Sequence, residues 1–368
     1  MFAVCGKFGV RMYIKELKIE NFRNYKIEKI NFIPKINIFH GDNAQGKTNI
    51  LEAIFYGSLG RSFRTNKDKD LIKFDEDFSN IDIDYHKKDR DGKINIKIAN
   101  RKFITLNGVK IKKLSDLIGN INVVIFTPDD INILKGGPEN RRNFLDVMIS
   151  QLRPQYVYNL SNYKKTLEQR NKYLKQENKS EDMLEIWDQK LAEFGCNIYT
   201  YRREFVDKLI SKVKDIHKNI TGEDIRIDYS SDCENREEYI AHLKRNRHID
   251  FAREYTSCGI HRDDFKTYIN DKEIDTFGSQ GQNRTAVLSL KLSEIEVIND
   301  EIGEYPILLL DDFMSELDQT RIRKFLGSVQ DIQVIITCNN KIDIENSQLF
   351  EVKEGKVETT WFCGLFYT

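Results

Sequence analysis

The sequence predicts an α/β protein with a parallel sheet and an inserted, mainly helical lobe. Short apolar runs at residues 307–310 and 334–336 are separated by a helical segment, a pattern typical of buried parallel strands. Period-two alternation predominates from Met12 to about Asn107. Apolar residues from Trp187 to Leu209 recur at steps of three and four, which places them on one face of a long helix.

The remaining elements follow in chain order. A short strand over residues 36–39 ends at Gly41, and a helix is expected from about Thr48 to Leu59. A helix over 154–176, a polar turn over 177–182 and the long helix form a helical hairpin, and a further helix covers 283–299. The predicted domains are residues 12–125 with 300–368 as an α/β lobe, 126–299 as a mainly helical lobe, and 1–11 as a disordered extension.

Composition and charge exclude several protein classes. Of 368 residues, 40% are hydrophobic, 32% are charged and 5 are proline, which argues against a disordered or collagen-like chain. No apolar run approaches the ~18–20 residues of a membrane helix, so no membrane partner is expected. The 6 cysteines are scattered without a C-x-x-C pair, which favours reduced thiols in a cytoplasm. The 58 basic and 58 acidic residues cancel, which excludes a globally basic protein that wraps nucleic acid.

Residues 41–48, GDNAQGKT, match the phosphate-loop pattern G-x-x-x-x-G-K-[ST] between a strand and a helix. Backbone N–H groups of such a loop point at phosphates, the lysine reaches the β- and γ-phosphate oxygens, and the threonine ligates Mg²⁺. A nucleotide and Mg²⁺ are therefore the predicted ligands. The predicted ligands in this segment are Gly41, Asp42, Asn43, Ala44, Gln45, Gly46, Lys47, Thr48 and Asn49.

The second magnesium ligand is predicted to be Asp311, because it directly follows four apolar strand residues. Asp312 comes next and is placed to polarise an attacking water. Two adjacent carboxylates at a strand end are costly without a cation, which supports a metal site there. The alternative is an acidic residue that merely ends a core strand.

Thr48 and Asp311 lie far apart in the chain, so a large insertion separates the two halves of one site. Within it, Ser279, Gln280, Gly281 and Gln282 directly precede a helix, where backbone N–H groups and the helix dipole can bind a second anion. A plain turn with a helix N-cap is the alternative interpretation.

These motifs, in this order and followed by Ser315-Glu316-Leu317-Asp318, resemble the ABC-type ATPases. More narrowly, from Met12 nearly to the C-terminus the chain resembles the RecF family of bacterial recombination mediators. The stretches that carry the resemblance are residues 21–25 (NFRNY), 41–54 (GDNAQGKTNILEAI), 60–65 (GRSFRT), 136–138 with Arg141 and Arg142, 261–264 (HRDD), 279–282 (SQGQ) and 308–318 (LLLDDFMSELD).

The resemblance implies a P-loop ATPase lobe like the heads of Rad50 and SMC proteins, with a short helical arm. It implies a homodimer that forms on ATP and binds gapped or stalled-replication DNA, with hydrolysis as the release step. It also implies action with RecO and RecR in loading recombinase, and roles in DNA repair, DNA replication and the SOS response. The alternatives are the nucleotide-binding subunit of an ABC transporter and an SMC-like ATPase that processes DNA ends.

The resemblance also implies residue roles. Ser279, Gln280, Gly281 and Gln282 of one subunit would complete the phosphate site of the other, with Asp318 at that interface. Arg23, Asn24 and Arg64 would contact the nucleotide, a surface or DNA-facing role being the alternative. The catalytic set would be Lys47, Asp311, Asp312 and Thr337. Slow hydrolysis is expected, because Asp312 is shorter than the usual glutamate and Thr337 stands where a histidine is usual.

Charge is segregated along the chain. Residues 87–113 carry ten Lys/Arg and two Asp, a net charge of +8, while residues 294–318 carry nine carboxylates and no Lys or Arg. The basic stretch alternates with isoleucines, as a hairpin with one cationic face would, and such a face binds phosphates without reading sequence. An ordinary solvated lysine face is the alternative. The predicted DNA ligands are Lys87, Lys88, Lys97, Arg101, Lys102, Lys110, Lys112 and Lys113.

Overall fold

The computed structural model describes residues 12–88, 90–178, 180–312, 331–342 and 344–360. The extension predicted at residues 1–11 lies outside the described residues. The chain divides into two compact units. Unit 1 comprises the described residues of Met1–Asp129 and Ile298–Thr368, and unit 2 is Asp130–Val297.

Strands and helices of the described residues are numbered in chain order. The strands are β1 Tyr13–Phe22, β2 Tyr25–Asn31, β3 Ile36–His40, β4 Ser79–Lys87, β5 Arg90–Ile98, β6 Lys102–Leu106, β7 Val109–Lys110, β8 Val123–Phe126, β9 Ile225–Ser230, β10 Asp264–Ile269, β11 Lys272–Glu273, β12 Ile307–Leu310, β13 Val334–Cys338, β14 Ser347–Lys353 and β15 Lys356–Thr360. The helices are α1 Lys47–Leu59, α2 Asn132–Lys135, α3 Pro138–Leu152, α4 Pro154–Leu174, α5 Glu181–Thr221, α6 Arg236–Arg245, α7 Arg247–Arg253, α8 Ile274–Phe277 and α9 Gln280–Ile302.

One sheet of unit 1 has the strand order β15-β14-β3-β13-β12-β8. Strands β3, β13, β12 and β8 run parallel, and β12 and β8 are buried along their whole length. The predicted parallel sheet is therefore confirmed. Since β13 lies between β3 and β12, the segments that follow these three strands leave the sheet at one edge, where ligands bind in open α/β sheets.

The second sheet of unit 1 is antiparallel, in the order β2-β1-β4-β5-β6-β7. Its inner face is apolar: Ile94 and Ile96 of β5 are paired with Ile83 and Ile81 of β4, and all four are buried. The outer face carries polar side chains. The period-two pattern read from the sequence is confirmed here, because alternate residues of a strand point to opposite faces.

Unit 2 is mainly helical and includes a three-stranded sheet in the order β11-β10-β9. The predicted face of the long helix is confirmed: Leu191, Ile198, Phe205 and Leu209 of α5 are all buried. Gly222 ends α5 in the left-handed conformation, at φ 80°. None of the helices in the described ranges is both long and apolar enough to cross a membrane.

Two buried ion networks tie the helices of unit 2 together, and neither was predicted from the sequence. Arg170 donates to Asp188 at 2.9 Å and to Asp250 at 2.7 Å. Arg202 of α5 donates to Asp146 at 2.9 Å, and it donates to Asp263 at 2.8 Å. Removing one partner of such a pair leaves a buried charge uncompensated, which is strongly destabilising.

His261 of unit 2 is held neutral by its surroundings. Its Nδ1 lies 2.8 Å from Tyr163 Oη and its Nε2 lies 3.1 Å from the Thr256 carbonyl, so Nε2 donates and Nδ1 accepts. Burial lowers the pKa of His261 to about 4. Between that value and the ordinary 6.5, the unfolded chain binds more protons than the folded one, so stability falls as the pH falls through this window.

Acidification from about pH 7 to about pH 5 is therefore expected to cost roughly 2 kcal/mol of unfolding free energy through His261. Urea unfolding of the full chain at both pH values measures the loss. The variant His261→Gln should show a smaller loss on acidification, whereas His248→Gln, at an exposed position of α7, should behave as the wild type. An unchanged pH dependence in His261→Gln would contradict this assignment.

Candidate nucleotide-binding site

The phosphate loop joins β3 to α1 and is shaped by two glycines with positive φ. Gly41 has φ 151° and Gly46 has φ 115°. A Cβ atom at Gly41 would lie 2.3 Å from the Val352 carbonyl oxygen, and one at Gly46 would lie 2.6 Å from the Asn24 side chain. Both positions therefore require glycine, through backbone conformation and through close approach.

Neighbouring side chains support this loop from the β1–β2 turn. Asn24 Nδ2 donates to the Gln45 carbonyl at 2.8 Å and Tyr25 Oη donates to the Gly46 carbonyl at 3.1 Å. Asn49 Nδ2 donates to Asn24 Oδ1 at 2.8 Å. Asn24 and Asn49, both predicted as nucleotide ligands, thus bond to one another and to the loop, while Asp42, Asn43 and Ala44 are exposed at its tip.

Lys47 begins α1 and points back across the loop. Its Nζ donates to the carbonyls of Gly41 at 2.5 Å and Asp42 at 2.8 Å, and to Asn339 Oδ1 at 3.0 Å. Burial lowers the pKa of Lys47, because its charge is partly removed from water. Neutral acceptors offset such a charge only in part, so an anion such as a phosphate oxygen fits beside this ammonium group.

Two threonines, Thr48 in α1 and Thr337 in β13, contact Asp311, which directly follows β12. Thr48 Oγ1 donates to Asp311 Oδ1 at 2.7 Å, and Thr337 Oγ1 donates to the same oxygen at 2.8 Å. Burial raises the pKa of Asp311, while the two hydroxyl hydrogen bonds act in the opposite direction. A carboxylate beside a hydroxyl supplies the hard oxygen ligands that Mg²⁺ takes, so this pair fits the predicted metal.

Asp312 lies directly beside this cluster. Its backbone N–H donates to Thr337 Oγ1 at 3.0 Å, and its φ of 46° is left-handed, a conformation that non-glycine residues adopt mainly at constrained or functional positions. The structure thus brings Lys47, Thr48, Asp311, Asp312 and Thr337 to one edge of the parallel sheet.

Glu52, which sequence analysis missed, organises the two predicted arginines. This α1 carboxylate is fully buried and accepts from Arg23 Nε at 2.8 Å and Arg23 Nη2 at 2.6 Å. Arg64 Nη1 lies 3.3 Å from Glu52 and 2.7 Å from Asn49 Oδ1, and Ser62 Oγ donates to Glu52 at 2.5 Å. Arg23 also donates to the Asp70 carbonyl, so its guanidinium is held within unit 1. In the sequence, the role of Glu52 could have been inferred from its position as a carboxylate inside the apolar run of α1.

The second predicted anion site lies in unit 2, where α9 begins. Ser279 Oγ accepts from the Gln282 N–H at 3.2 Å, and Gln282 Oε1 accepts from the Ser279 N–H at 3.0 Å, which forms a reciprocal capping box. The plain N-cap interpretation is therefore correct locally, and α9 begins at Gln280 rather than at the predicted residue 283. Ser279, Gln280 and Gly281 are exposed, and Asp318 lies outside the described residues.

The eight predicted DNA ligands do not share one surface. Lys87 Nζ donates to the Gly119 carbonyl at 2.5 Å, and burial lowers its pKa. Lys102 Nζ donates to the Gly60 carbonyl at 2.7 Å and pairs with Asp68 at 3.0 Å. The prediction of a single cationic face is wrong for these two lysines, because their ammonium groups satisfy internal acceptors. The exposed members are Lys88, Lys97, Arg101, Lys110, Lys112 and Lys113.

Comparison with known proteins covers nearly the whole chain. The family model for the RecF/RecN/SMC N terminal domain matches residues 13–359. The DNA replication and repair protein RecF of Clostridium botulinum (strain 657 / Type Ba4) is 46% identical over 362 residues, which are 94% of this chain and 100% of the relative. The RecF protein of Clostridium perfringens (strain SM101 / Type A) is 44% identical over 360 residues, with the same coverage.

Comparison with solved structures leads to the same family. The recombination mediator protein RecF of the RecFOR pathway, as RecF-ATP, is 39% identical with a TM-score of 0.92, over 97% of this chain and 100% of that one. An Smc head bound to the C-terminal winged-helix domain of ScpA is 16% identical with a TM-score of 0.56, over 95% and 97%, and shares the fold alone. The predicted SMC-head-like α/β architecture is confirmed. The chain belongs to the RecF family of DNA replication and repair proteins.

Proposed function

We propose that this protein is an ATP-dependent DNA-binding protein of recombinational repair. ATP binding drives homodimerisation and binding to gapped or stalled-replication DNA, and slow hydrolysis releases the DNA. The observation that carries the proposal is the convergence of Thr48, Asp311 and Thr337 beside the phosphate loop, since it places hydroxyl and carboxylate oxygens, the ligand types that Mg²⁺ takes, next to a loop shaped to bind phosphates. Membership of the RecF family, and a relative described as RecF-ATP, support it.

The chain supplies the groups that ATP and Mg²⁺ need. The loop amides and Lys47 bind the phosphates, and Thr48 with Asp311 holds the cation. Bound Mg²⁺ would neutralise charge that develops on the phosphate oxygens. Thr337 orients Asp311 through its hydroxyl, and Asp312 orients the attacking water.

Slow ATP hydrolysis is expected from the hydrogen bonds that the Thr337 hydroxyl makes. Its one hydroxyl proton goes to Asp311, and its oxygen accepts the Asp312 N–H. A hydroxyl committed in this way has no proton to exchange with water, and it lacks the near-neutral pKa of an imidazole. Because hydrolysis is slow, the ATP-bound state is long-lived, and ATP turnover acts as a conformational switch.

The exposed start of α9 supplies the second half of each composite site. Ser279 and Gly281 would meet the phosphates bound by a second copy of the chain, because a helix N-terminus binds anions. Partnership with RecO and RecR in loading recombinase, roles in replication and the SOS response, and a cytoplasmic location belong to the same proposal, and rest on family membership.

Sedimentation and duplex binding of the full chain, with and without ATP and Mg²⁺, test this function. The wild type is expected to double in mass and to gain DNA affinity with ATP. In Ser279→Arg the long cation blocks the partner's phosphate site, so the variant should bind ATP and stay monomeric.

The matched control is Ser211→Arg, which adds the same side chain at an exposed position of α5 and should dimerise. A wild-type chain whose mass and duplex affinity ignore ATP would overturn the proposed function. Loss of ATP binding in Ser279→Arg would overturn only the assignment of Ser279 to the partner's nucleotide.

A further inference from the structure

Aromatic and lysine side chains alternate across one end of the antiparallel sheet in unit 1. Lys97 Nζ lies 4.6 Å from the Phe78 ring centroid, and Lys110 Nζ lies 4.8 Å from the Phe103 ring centroid. Lys97 of β5 is directly opposite Phe103 of β6 in the strand register. Phe78, Lys97, Phe103 and Lys110 therefore form a continuous row, termed here the aromatic–lysine ladder.

The ladder faces outward. Ile104 of β6 is buried opposite Ile96, so the preceding residue Phe103 points to the other face of the sheet. Phe103 is 43% exposed and Val109, at the adjoining edge strand β7, is 70% exposed. Phe103 and Val109 thus offer apolar surface for contact with a partner beside a sheet edge.

The ladder is also cationic. No carboxylate of the described residues lies within ion-pair distance of Lys97 or Lys110. Of the nearby acidic groups, Asp84 pairs with Lys93 at 3.3 Å and Asp82 accepts from Asn95 at 3.0 Å, while Asp75, Glu76 and Asp77 precede Phe78 at one end of the ladder. The further exposed cations Arg101, Lys112 and Lys113 lie close to the ladder in sequence.

A single DNA strand matches this combination. Its phosphates suit the uncompensated ammonium groups, and its unpaired bases have free faces that stack on aromatic rings. Aromatic residues on an open sheet surface bind unpaired bases in other folds in the same way. In duplex DNA the base faces are already stacked, so a duplex could use only the lysines.

We propose that the aromatic–lysine ladder binds the unpaired strand of gapped DNA, with Phe103 stacking on a base and Lys97 and Lys110 contacting phosphates. This inference rests on the proposed DNA-binding function and adds to it a specific surface for single-stranded DNA.

The test compares three ligands of the full chain with ATP and Mg²⁺: an oligo(dT) strand, an abasic strand of equal length and a blunt duplex. Phe103→Ala should weaken oligo(dT) binding by roughly 5- to 150-fold, in line with stacking of one base, and should leave the other two ligands unaffected. Phe103→Trp should retain binding to oligo(dT). Lys110→Gln should weaken both single strands and reduce the slope of log K against log salt by about 0.7.

The matched control is Phe74→Ala, a 94% exposed phenylalanine of the same unit that is followed by Asp75, Glu76 and Asp77, and it should bind all ligands as the wild type does. Unchanged oligo(dT) affinity in Phe103→Ala, or an equal loss for oligo(dT) and the abasic strand, would overturn the ladder while ATP-gated duplex binding stands. A wild-type chain that binds none of the three ligands would overturn the proposed function, and the ladder with it.

Discussion

Replacing Lys47 with methionine is expected to remove ATP-dependent dimerisation and duplex binding. The ammonium group is held by the carbonyls of Gly41 and Asp42, so it already points into the loop that receives the phosphates. Removing the ammonium group from a hydrogen-bonded pair with a phosphate costs at least about 2 kcal/mol of ATP-binding free energy, which is roughly 30-fold in Kd. With ATP at about ten times the wild-type Kd, such a variant is about one-quarter occupied, and a dimer that needs two occupied sites is rarer still.

Nucleotide binding by titration calorimetry, followed by sedimentation with ATP, measures this effect. Lys26→Met removes the same charge from an exposed position of β2 and should leave both measurements unchanged. Circular dichroism should show an intact fold in Lys47→Met, because Gly41 and Asp42 retain access to water and their carbonyls can bond to it. Dimerisation on ATP by the Lys47→Met chain would contradict the assignment of Lys47 to the phosphates.

The second large effect is expected from Glu52→Gln. The Glu52 side chain is fully buried, and it pairs with Arg23 and Arg64, whose side chains are 20% and 43% exposed. Removing one partner of a buried pair typically costs 3–5 kcal/mol, and the access of both arginines to water reduces this to about 2–4 kcal/mol of unfolding free energy. Urea unfolding of the full chain, followed by hydrogen exchange in α1, measures the loss and locates it.

Glu16→Gln is the matched control, since Glu16 forms a surface pair with Lys29 at 2.9 Å and such pairs contribute about 0–1 kcal/mol. Nucleotide affinity should also fall in Glu52→Gln, because Arg64 connects Glu52 to Asn49 beside the phosphate loop. Equal stability of the two variants would show that Glu52 does not organise this cluster.

Most secondary structure of the described residues was predictable, for a local reason. Strand alternation in β5 and the α5 face with Leu191 and Phe205 depend on side-chain periods that neighbouring residues display directly. Boundaries were less accurate: α4 ends at Leu174, two residues before the predicted end, and α9 begins at Gln280 because Ser279 and Gln282 cap each other. Such caps depend on side-chain geometry as well as on residue type.

The predicted DNA-binding residues, in contrast, could not be assigned to one surface from the sequence. A run of ten cations predicted one surface, but Lys87 and Lys102 reach carbonyls that belong to distant segments, at Gly119 and Gly60. Charge counted along the chain reports how many cations a segment carries. It does not report which of their flexible side chains find acceptors inside the protein.

By itself the sequence determined the phosphate loop, the strand that precedes Asp311 and the family, because these depend on residues adjacent in the chain. Only the tertiary structure decided that Thr48 and Thr337 donate to the same oxygen of Asp311. It also decided that Glu52 pairs with two arginines and that Phe103 lies beside two lysines. The physical reason is strand order: β13 lies between β3 and β12, and β6 beside β5, through pairings that no local pattern encodes. Side chains on neighbouring strands lie within a few ångströms of one another, whatever the separation of their residues in sequence.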